Sequence, residues 1–318
     1  MPSLLFQRTR ALVLAPLATA GAVLACAPSA LATYPGDNGR LAFHSFTDNG
    51  AQIFTVRPNG KDLRQITHLG GDAIRPDWSP DGRRIAFAIE TEDAAHVALM
   101  NADGSHLVVL PTLGDGAGDP SFTPDGRRLV YGFDDATGHG IASMRLDGSD
   151  QRVIQRIDGE DPNVSPDGRL ISLTCVQEPE VLQALCTLPV GGGTVTPLTP
   201  YSAEVGAKDD WAPDGRRLAY TDHADRPNPG DSSNVATVRR DGTDARLLTH
   251  YTGGDVNAFM GSYSPDGGWI AMRLEDHGRF GLYKIRPDGS HMRAILPLSD
   301  FAARFIDWGP AACDDDDR

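Results

Sequence analysis

Apolar runs long enough to cross a membrane are missing from this 318-residue chain. The stretch from Ala11 to Ala25 carries no charge, but Pro16 and Gly21 interrupt it. It is also shorter than the ~20 residues that a membrane-spanning helix needs. No later segment approaches that length, so the sequence predicts no transmembrane segment.

The same short stretch has the marks of an export signal. Arg8 and Arg10 precede it, and Ala30-Leu31-Ala32 follows it. A basic start, a brief apolar region and a small-x-small end are typical of a secretory signal peptide. We therefore expect residues 1–32 to be a signal peptide cleaved after Ala32, and a secreted or periplasmic product. Lipid modification of Cys26 is the alternative, which Leu24 fits poorly.

Basic residues are few, with 29 Lys and Arg against 43 Asp and Glu and a formal net charge of −14. Nucleic-acid binding depends largely on Lys and Arg that neutralise phosphates, so this balance argues against a nucleic-acid partner. Much of the acidity stands in repeated turns, where Asp serves the local backbone geometry.

Cysteine is also scarce, with four in the whole chain. Cys175 and Cys186 fall on successive predicted strands, and disulfides persist outside the cytoplasm, so we expect these two to form a disulfide. Cys313 is then left over. No cysteine spacing matches a zinc site, which needs paired ligands close together.

Helical periodicity is absent, and a tight-turn phrase recurs in its place. Pro, Asp and Gly in this order suit the successive positions of a tight turn. The five copies are Ser79-Pro80-Asp81-Gly82, Thr123-Pro124-Asp125-Gly126, Ser165-Pro166-Asp167-Gly168, Ala212-Pro213-Asp214-Gly215 and Ser264-Pro265-Asp266-Gly267. Asp307-Trp308-Gly309-Pro310 begins a sixth copy, whose missing half is found at the front of the chain in Asp37-Asn38-Gly39.

Each copy continues with short alternating apolar segments such as Arg84–Phe87, a second turn, and a last short strand. Four strands in each repeat of about 45 residues are typical of propeller blades. We therefore predict an all-β fold, a six-bladed β-propeller with four antiparallel strands per blade. Residues 304–310 would add the innermost strand to the blade of residues 38–67 and so close the ring. The predicted division is a signal peptide (1–32), one propeller (33–310) and an acidic tail (311–318).

The segment Trp78–Phe87, together with Met100–Ser105, closely resembles the repeat of TolB-like β-propeller proteins of the bacterial envelope. The likeness extends over residues 34–310 and implies a small exported propeller. TolB itself has an additional α/β domain before its propeller and docks a lipoprotein. Few residues separate the predicted signal peptide from the first blade here, so that partner is not carried over. Propellers related to these also cap prolyl-oligopeptidase-type hydrolases, but no G-x-S-x-G elbow is present.

Aromatic residues recur two positions before the turn proline, and we expect them to pack between blades. The residues five positions before each turn proline differ from one repeat to the next. We expect charged residues at or beside this second set to gather at one mouth of the channel and form a ligand site: Arg75, Asp119, Glu160, Asp161, Lys208 and Arg304. Met260 and Phe305 complete the set. The alternative is a ring of solvated salt bridges with no ligand.

The predicted role is therefore a non-catalytic, monomeric binding or scaffold propeller that recognises an envelope or secreted protein or peptide. No cofactor is expected, although Asp119 and Asp161 are weak candidates for a Ca²⁺ site. Two alternatives remain open. One is a Ca²⁺-dependent propeller hydrolase or lyase, and the other is a carbohydrate or cell-wall recognition module. Most of the nine histidines are expected to be exposed and without a role.

Overall fold

The computed structural model describes residues 35–177, 182–206, 208–223 and 232–312, and these form an antiparallel β-propeller. The predicted signal peptide, Cys26, Cys313 and residues 313–318 of the acidic tail lie outside the described residues, so those expectations stay predictions. A single turn of 3-10 helix covers Tyr201–Ala203. Within the described ranges, no helix is long and apolar enough to cross a bilayer.

Five sheets contain all 24 strands. The first sheet joins both ends of the chain, in the order β24 (Arg304–Pro310), β1 (Asn38–Thr47), β2 (Gly50–Val56) and β3 (Arg64–Gln65). The second has eight strands, β4 (Asp72–Trp78), β5 (Arg84–Glu90), β6 (Ala95–Asn101), β7 (Val108–Val109), β8 (Gly116–Phe122), β9 (Arg128–Asp135), β10 (Gly138–Arg145) and β11 (Arg152–Arg156).

The remaining three sheets have four strands each, in chain order. The third contains β12 (Gly159–Val164), β13 (Leu170–Gln177), β14 (Leu182–Pro189) and β15 (Thr196–Pro197). The fourth contains β16 (Asp209–Trp211), β17 (Arg217–Asp222), β18 (Asn234–Arg239) and β19 (Arg246–Leu247). The fifth contains β20 (Val256–Tyr263), β21 (Ile270–Asp276), β22 (Arg279–Ile285) and β23 (Arg293–Ser299).

The eight-stranded sheet consists of two antiparallel groups, β4–β7 and β8–β11. A single parallel bridge, between Ala95 of β6 and Gly116 of β8, connects them. All other strand pairs in this sheet are antiparallel. The connection between the two groups is therefore local, at the ends of the strands.

The recurring turn follows the first strand of its group and is stabilised by its own side chains. In the first copy, the amide N–H of Gly82 donates to the carbonyl of Ser79 (2.9 Å), and the Ser79 hydroxyl donates to Asp81 Oδ1 (2.6 Å). Gly82 has φ 66°, in the left-handed region that favours glycine. The turn chemistry predicted from the sequence thus explains why each inner strand reverses at the same place.

The aromatic residues two positions before the turn proline are all buried, as predicted. Trp78 packs in one apolar cluster with Ile85 and Phe87, and Trp308 packs in another with Leu41 and Phe43. In the third sheet Val164 takes the same position. These side chains fill the core between neighbouring sheets.

A belt of polar side chains joins the first strand of each four-strand group, which we call the inner strand, to the next: β4, β8, β12, β16, β20 and β24. The residue three positions before the turn proline accepts a hydrogen bond from a backbone N–H of the next inner strand. The pairs are Asp77 with Phe122 (2.8 Å), Ser121 with Val164 (3.4 Å), Asp210 with Tyr263 (2.7 Å), Ser262 with Trp308 (3.1 Å) and Asp307 with Trp78 (2.7 Å). At the remaining step, Asn163 donates to the carbonyl of Asp209 (3.1 Å).

The last strand pairs with the first, as the split repeat predicts. β24 runs antiparallel to β1, with Trp308 opposite Leu41 and Arg304 opposite His44. The predicted bounds of 304–310 agree with the observed strand. The ends of the described chain are thus held in one sheet by backbone hydrogen bonds.

A disulfide joins Cys175 of β13 to Cys186 of β14, which confirms the predicted pair. Their Cα atoms lie 5.9 Å apart, and both residues are buried. The sulfur atoms are part of an apolar cluster with Leu173 and Leu188. The bridge therefore stabilises a hairpin whose turn, residues 178–181, lies outside the described residues.

Replacing both Cys175 and Cys186 with alanine is expected to lower the free energy of unfolding by about 2–3 kcal/mol, because the bridge closes a short loop in the unfolded chain. Alanine avoids the cost of burying a serine hydroxyl. Urea unfolding of the oxidised protein and the double variant measures the difference. Two free thiols in non-reduced peptide mapping of the unmodified protein would contradict the bridge itself.

Candidate functional site

Four of the predicted site positions share an unusual backbone conformation. Arg75, Asp119, Asp161 and Phe305 have φ values of 55°, 51°, 55° and 48°, in the left-handed region that side chains other than glycine rarely adopt. In the first three cases the register of the inner strand against its neighbour shifts at this residue. Such bulges change the direction of a side chain. The repeated bulge explains how an inner strand can present a residue at the channel mouth.

The structure brings three of the predicted charged residues into direct contact. The Arg75 guanidinium forms an ion pair with Asp119 Oδ1. Asp119 Oδ2 accepts a hydrogen bond from the amide of Asp161 (3.3 Å), and Asp161 Oδ2 accepts one from the amide of Asp209 (3.4 Å). A chain of polar contacts therefore crosses from β4 to β16 along the channel wall.

Burial shifts the acid–base behaviour of this chain of contacts. It raises the pKa of Asp161 to about 7, with the charge of Asp119 adding to the effect while Lys208 and Arg75 oppose it. For Arg75, burial acts to lower the pKa, but the charge and hydrogen bond of Asp119 more than compensate and raise it. Arg75 thus stays charged, while Asp161 titrates near neutral pH.

His44 was missed by sequence reasoning, which expected most histidines to be exposed. It is 4% exposed, stacks on Phe305 with ring centroids 5.5 Å apart, and its Nδ1 accepts the amide hydrogen of Arg75 (3.3 Å). Burial, together with the charges of Arg304, Arg75 and Arg273, lowers its pKa to about 3. The imidazole is therefore neutral and forms part of the channel wall. The split repeat predicted that residues 304–310 pair with the first strand, and this pairing, which places His44 opposite Arg304, could have pointed to His44.

Two clefts of opposite charge border the inner strands. The first, of about 220 Å³, lies between the inner ends of β4, β8 and β12, and predicted site residues Arg75, Asp119 and Glu160 line it. It also has three acidic residues that sequence reasoning did not select: Glu90, Asp134 and Asp158. Since Arg75 faces five carboxylates among the described lining residues, this acidic cleft suits a cationic group.

The second cleft, of about 180 Å³, is bordered by β16, β20 and β24. Lys208, Arg273 and Arg304 supply its charge, and Phe259, Met260, Phe305 and Ile306 supply most of its apolar surface. No acidic residue of the described chain lines it. This basic cleft therefore suits an anionic group attached to an apolar one. Arg273 was also missed, because it lies on β21, one strand away from the inner strand.

Lys208 lies where the basic cleft meets the polar belt. Burial acts to lower its pKa, but the charges of Asp161, Asp307, Asp210 and Asp77 outweigh this and raise it. Lys208 thus compensates the carboxylates that join the inner strands. Its positive charge therefore interacts mainly with these buried carboxylates.

Asp119 and Asp161 fit a cation poorly as a pair. The two oxygens of Asp119 already accept hydrogen bonds from Arg75 and from the amide of Asp161. Across the described ranges, no group of three or more His, Cys, Asp or Glu side chains is arranged to hold a metal ion. Residues 224–231, between β17 and β18, lie outside the described residues.

The family model of the TolB β-propeller domain matches residues 24–167. The Tol-Pal system protein TolB of Nitratidesulfovibrio vulgaris is 54% identical over 35 residues, 11% of this chain and 8% of that protein. An uncharacterised protein of Agrobacterium fabrum is 27% identical over 150 residues, 47% of this chain and 46% of that protein. The alignments thus span less than half the length of these curated relatives.

The crystal structure of TolB from Acinetobacter baumannii has a similar fold. It superposes with a TM-score of 0.71 at 21% sequence identity, over 88% of this chain and 69% of that one. Together with the recurring turn phrase and the domain match, this similarity supports the resemblance seen in the sequence. The chain is therefore similar to TolB-like β-propeller proteins, in its domain match over residues 24–167 and in its fold.

Proposed function

We propose that this chain is an extracytoplasmic six-bladed propeller that binds a protein or peptide, without catalysis, at the channel mouth lined by the two clefts. The count of six takes the eight-stranded sheet as two blades, β4–β7 and β8–β11, beside four sheets of four strands. The belt of six inner strands supports the same count. The buried Cys175–Cys186 disulfide supports an oxidising compartment.

The opposite charges of the two clefts carry the functional part of the proposal. Convergent polar groups in a concave opening are a default binding site, and electrostatic complementarity fixes the orientation of a partner. A peptide that carries charges of both signs can place one in each cleft. The fold alone does not imply this function, since propellers serve many roles.

A cross-linked pull-down from an envelope extract, with the full exported chain as bait, tests this assignment. Glu160→Gln changes the acidic cleft, and Arg304→Gln changes the basic cleft. Arg127→Gln is the matched control, because Arg127 is exposed beside the turn at the opposite end of the channel. We expect a partner that is captured by the unmodified chain and the control, and reduced about tenfold by either cleft variant, as for the loss of one charged contact.

Equal capture by all four proteins would contradict the proposed mouth. The bait is also analysed for bound metal, since cofactor-free binding is part of the proposal. Stoichiometric calcium that survives purification would instead favour the metal-dependent hydrolase or lyase.

A further inference from the structure

Two arginines in the basic cleft have no carboxylate partner among the described residues, unlike three other arginines of this protein. Arg40, Arg128 and Arg217, on the equivalent strands of three sheets, pair with Asp62, Asp150 and Asp244 at 2.7–2.9 Å. Among the described residues, no carboxylate lies within ion-pair distance of Arg273 or Arg304. Acidic residues outnumber basic ones in this protein, so two arginines without a nearby described carboxylate are an exception.

One nitrogen of each of these two guanidinium groups is buried among protein atoms. The Nε atoms of Arg273 and Arg304 are buried and have no hydrogen-bond partner within the described part of the chain. Arg273 lies over the ring of Phe259 at 4.0 Å, and Arg304 lies over the ring of Phe46 at 5.6 Å. Aromatic faces hold the planar groups in place but do not supply hydrogen-bond acceptors.

The two positive charges also act on each other. Burial, followed by the charge of Arg304, lowers the pKa of Arg273 to about 10, and the charge of Glu275 only partly opposes this. Lys208 does not relieve this, since it is a third cation and its charge is matched to the belt carboxylates. A bound anion would offset this repulsion.

We propose that Arg273 and Arg304 form a carboxylate-binding subsite, specific for a carboxylate attached to an apolar group. The planar fork of arginine matches the two oxygens of a carboxylate. The apolar side chains of Phe259, Met260, Phe305 and Ile306 would contact the group that carries it. The subsite deepens the proposed function, since a peptide C-terminus or an acidic side chain beside an apolar residue supplies this chemistry.

The test uses N-acetyl-phenylalanine and its amide, which differ in the carboxylate alone. Calorimetric titration at neutral pH and low ionic strength compares the two probes on the full chain. We expect the acid to bind at least about tenfold more tightly than the amide, because charged hydrogen bonds in a buried site discriminate strongly. N-acetyl-aspartate amide, in the same titration, distinguishes a side-chain carboxylate from a C-terminal one.

Arg273→Gln and Arg304→Gln are each expected to abolish the preference for the acid over the amide. Arg246→Gln is the control, because Arg246 forms an exposed ion pair with Asp244 far from the mouth. Arg304→Lys keeps the charge and loses the fork, so it is expected to restore only part of the preference. No binding of either acid, equal binding of acid and amide, or an unchanged preference in both glutamine variants would overturn the subsite.

The outcome is separable from that of the pull-down. A partner that the unmodified chain and the Arg273→Gln variant capture equally would remove the subsite and leave the proposed function. Selective binding of the acid, without any captured partner, would leave the subsite and remove the protein-binding role.

Discussion

Asp210→Ala is expected to lower the free energy of unfolding by about 3 kcal/mol, since it removes a charged hydrogen-bond acceptor and leaves a buried N–H without a partner. Asp210 is 3% exposed and joins three inner strands. Its Oδ2 accepts from the Tyr263 amide (2.7 Å) and the Ser262 hydroxyl (3.0 Å), and its Oδ1 accepts from Asn163 Nδ2 (3.3 Å). Urea unfolding measures the loss.

Asp210→Asn tests the role of the acceptor, because the amide oxygen can still receive the Tyr263 N–H. We expect it to cost less than alanine does. Asp244→Ala is the matched control on the surface. Asp244 also makes several bonds to arginines, but it is 26% exposed, so solvent screens these pairs and we expect a smaller loss than for Asp210→Ala. Equal losses for Asp210→Ala and Asp244→Ala would contradict a structural belt.

Asp161→Asn is expected to stabilise the protein increasingly as pH rises from about 4 to about 7. The pKa of an Asp side chain in the unfolded chain is 3.8, and burial raises that of Asp161 to about 7 in the folded protein. Between these values the unfolded chain releases a proton that the folded chain keeps, so stability falls as pH rises. Asparagine resembles the protonated acid and lacks this loss.

The size of the effect follows from the shift, at roughly 1.4 kcal/mol for each pKa unit, or on the order of 4 kcal/mol across the whole window. The variant keeps an oxygen to accept the Asp209 amide. The contribution of His44 to stability depends on pH in the opposite direction. Its pKa is lowered in the folded protein, so this contribution falls as pH drops below 6.5. It is present in both proteins, so it cancels in their difference.

Urea unfolding of both proteins at several pH values between 4 and 8 measures this difference. We expect near-equal stability at the acidic end and a gap that stops growing above pH 7. A gap that is independent of pH would mean that Asp161 does not titrate in this window.

The repeated turn phrase was enough to predict the propeller and its strands. Ser79-Pro80-Asp81-Gly82 and its copies act through local chemistry, since proline and glycine restrict and permit particular backbone angles whatever surrounds them. The split repeat likewise predicted that residues 304–310 join the sheet of Asn38. The observed β24 begins and ends at those residues.

The candidate site was predicted only in outline. Equivalent positions in the repeat placed Arg75, Asp119 and Asp161 in one set, and the structure connects them. The roles within the set could not be predicted, because they depend on which strands are neighbours around the ring. Arg273 lies on a second strand and His44 on the strand that pairs with the last one, so the repeat did not mark either residue.

The sequence by itself thus determined the elements, their order and the closure of the ring, because turns and alternating strands are specified by neighbouring residues. Only the tertiary structure decided the charge of each cleft. Electrostatic character depends on burial and on groups distant in the chain, as when Asp119 pairs with Arg75 while the charge of Arg304 lowers the pKa of Arg273. Those contacts arise only when the inner strands are arranged around the channel.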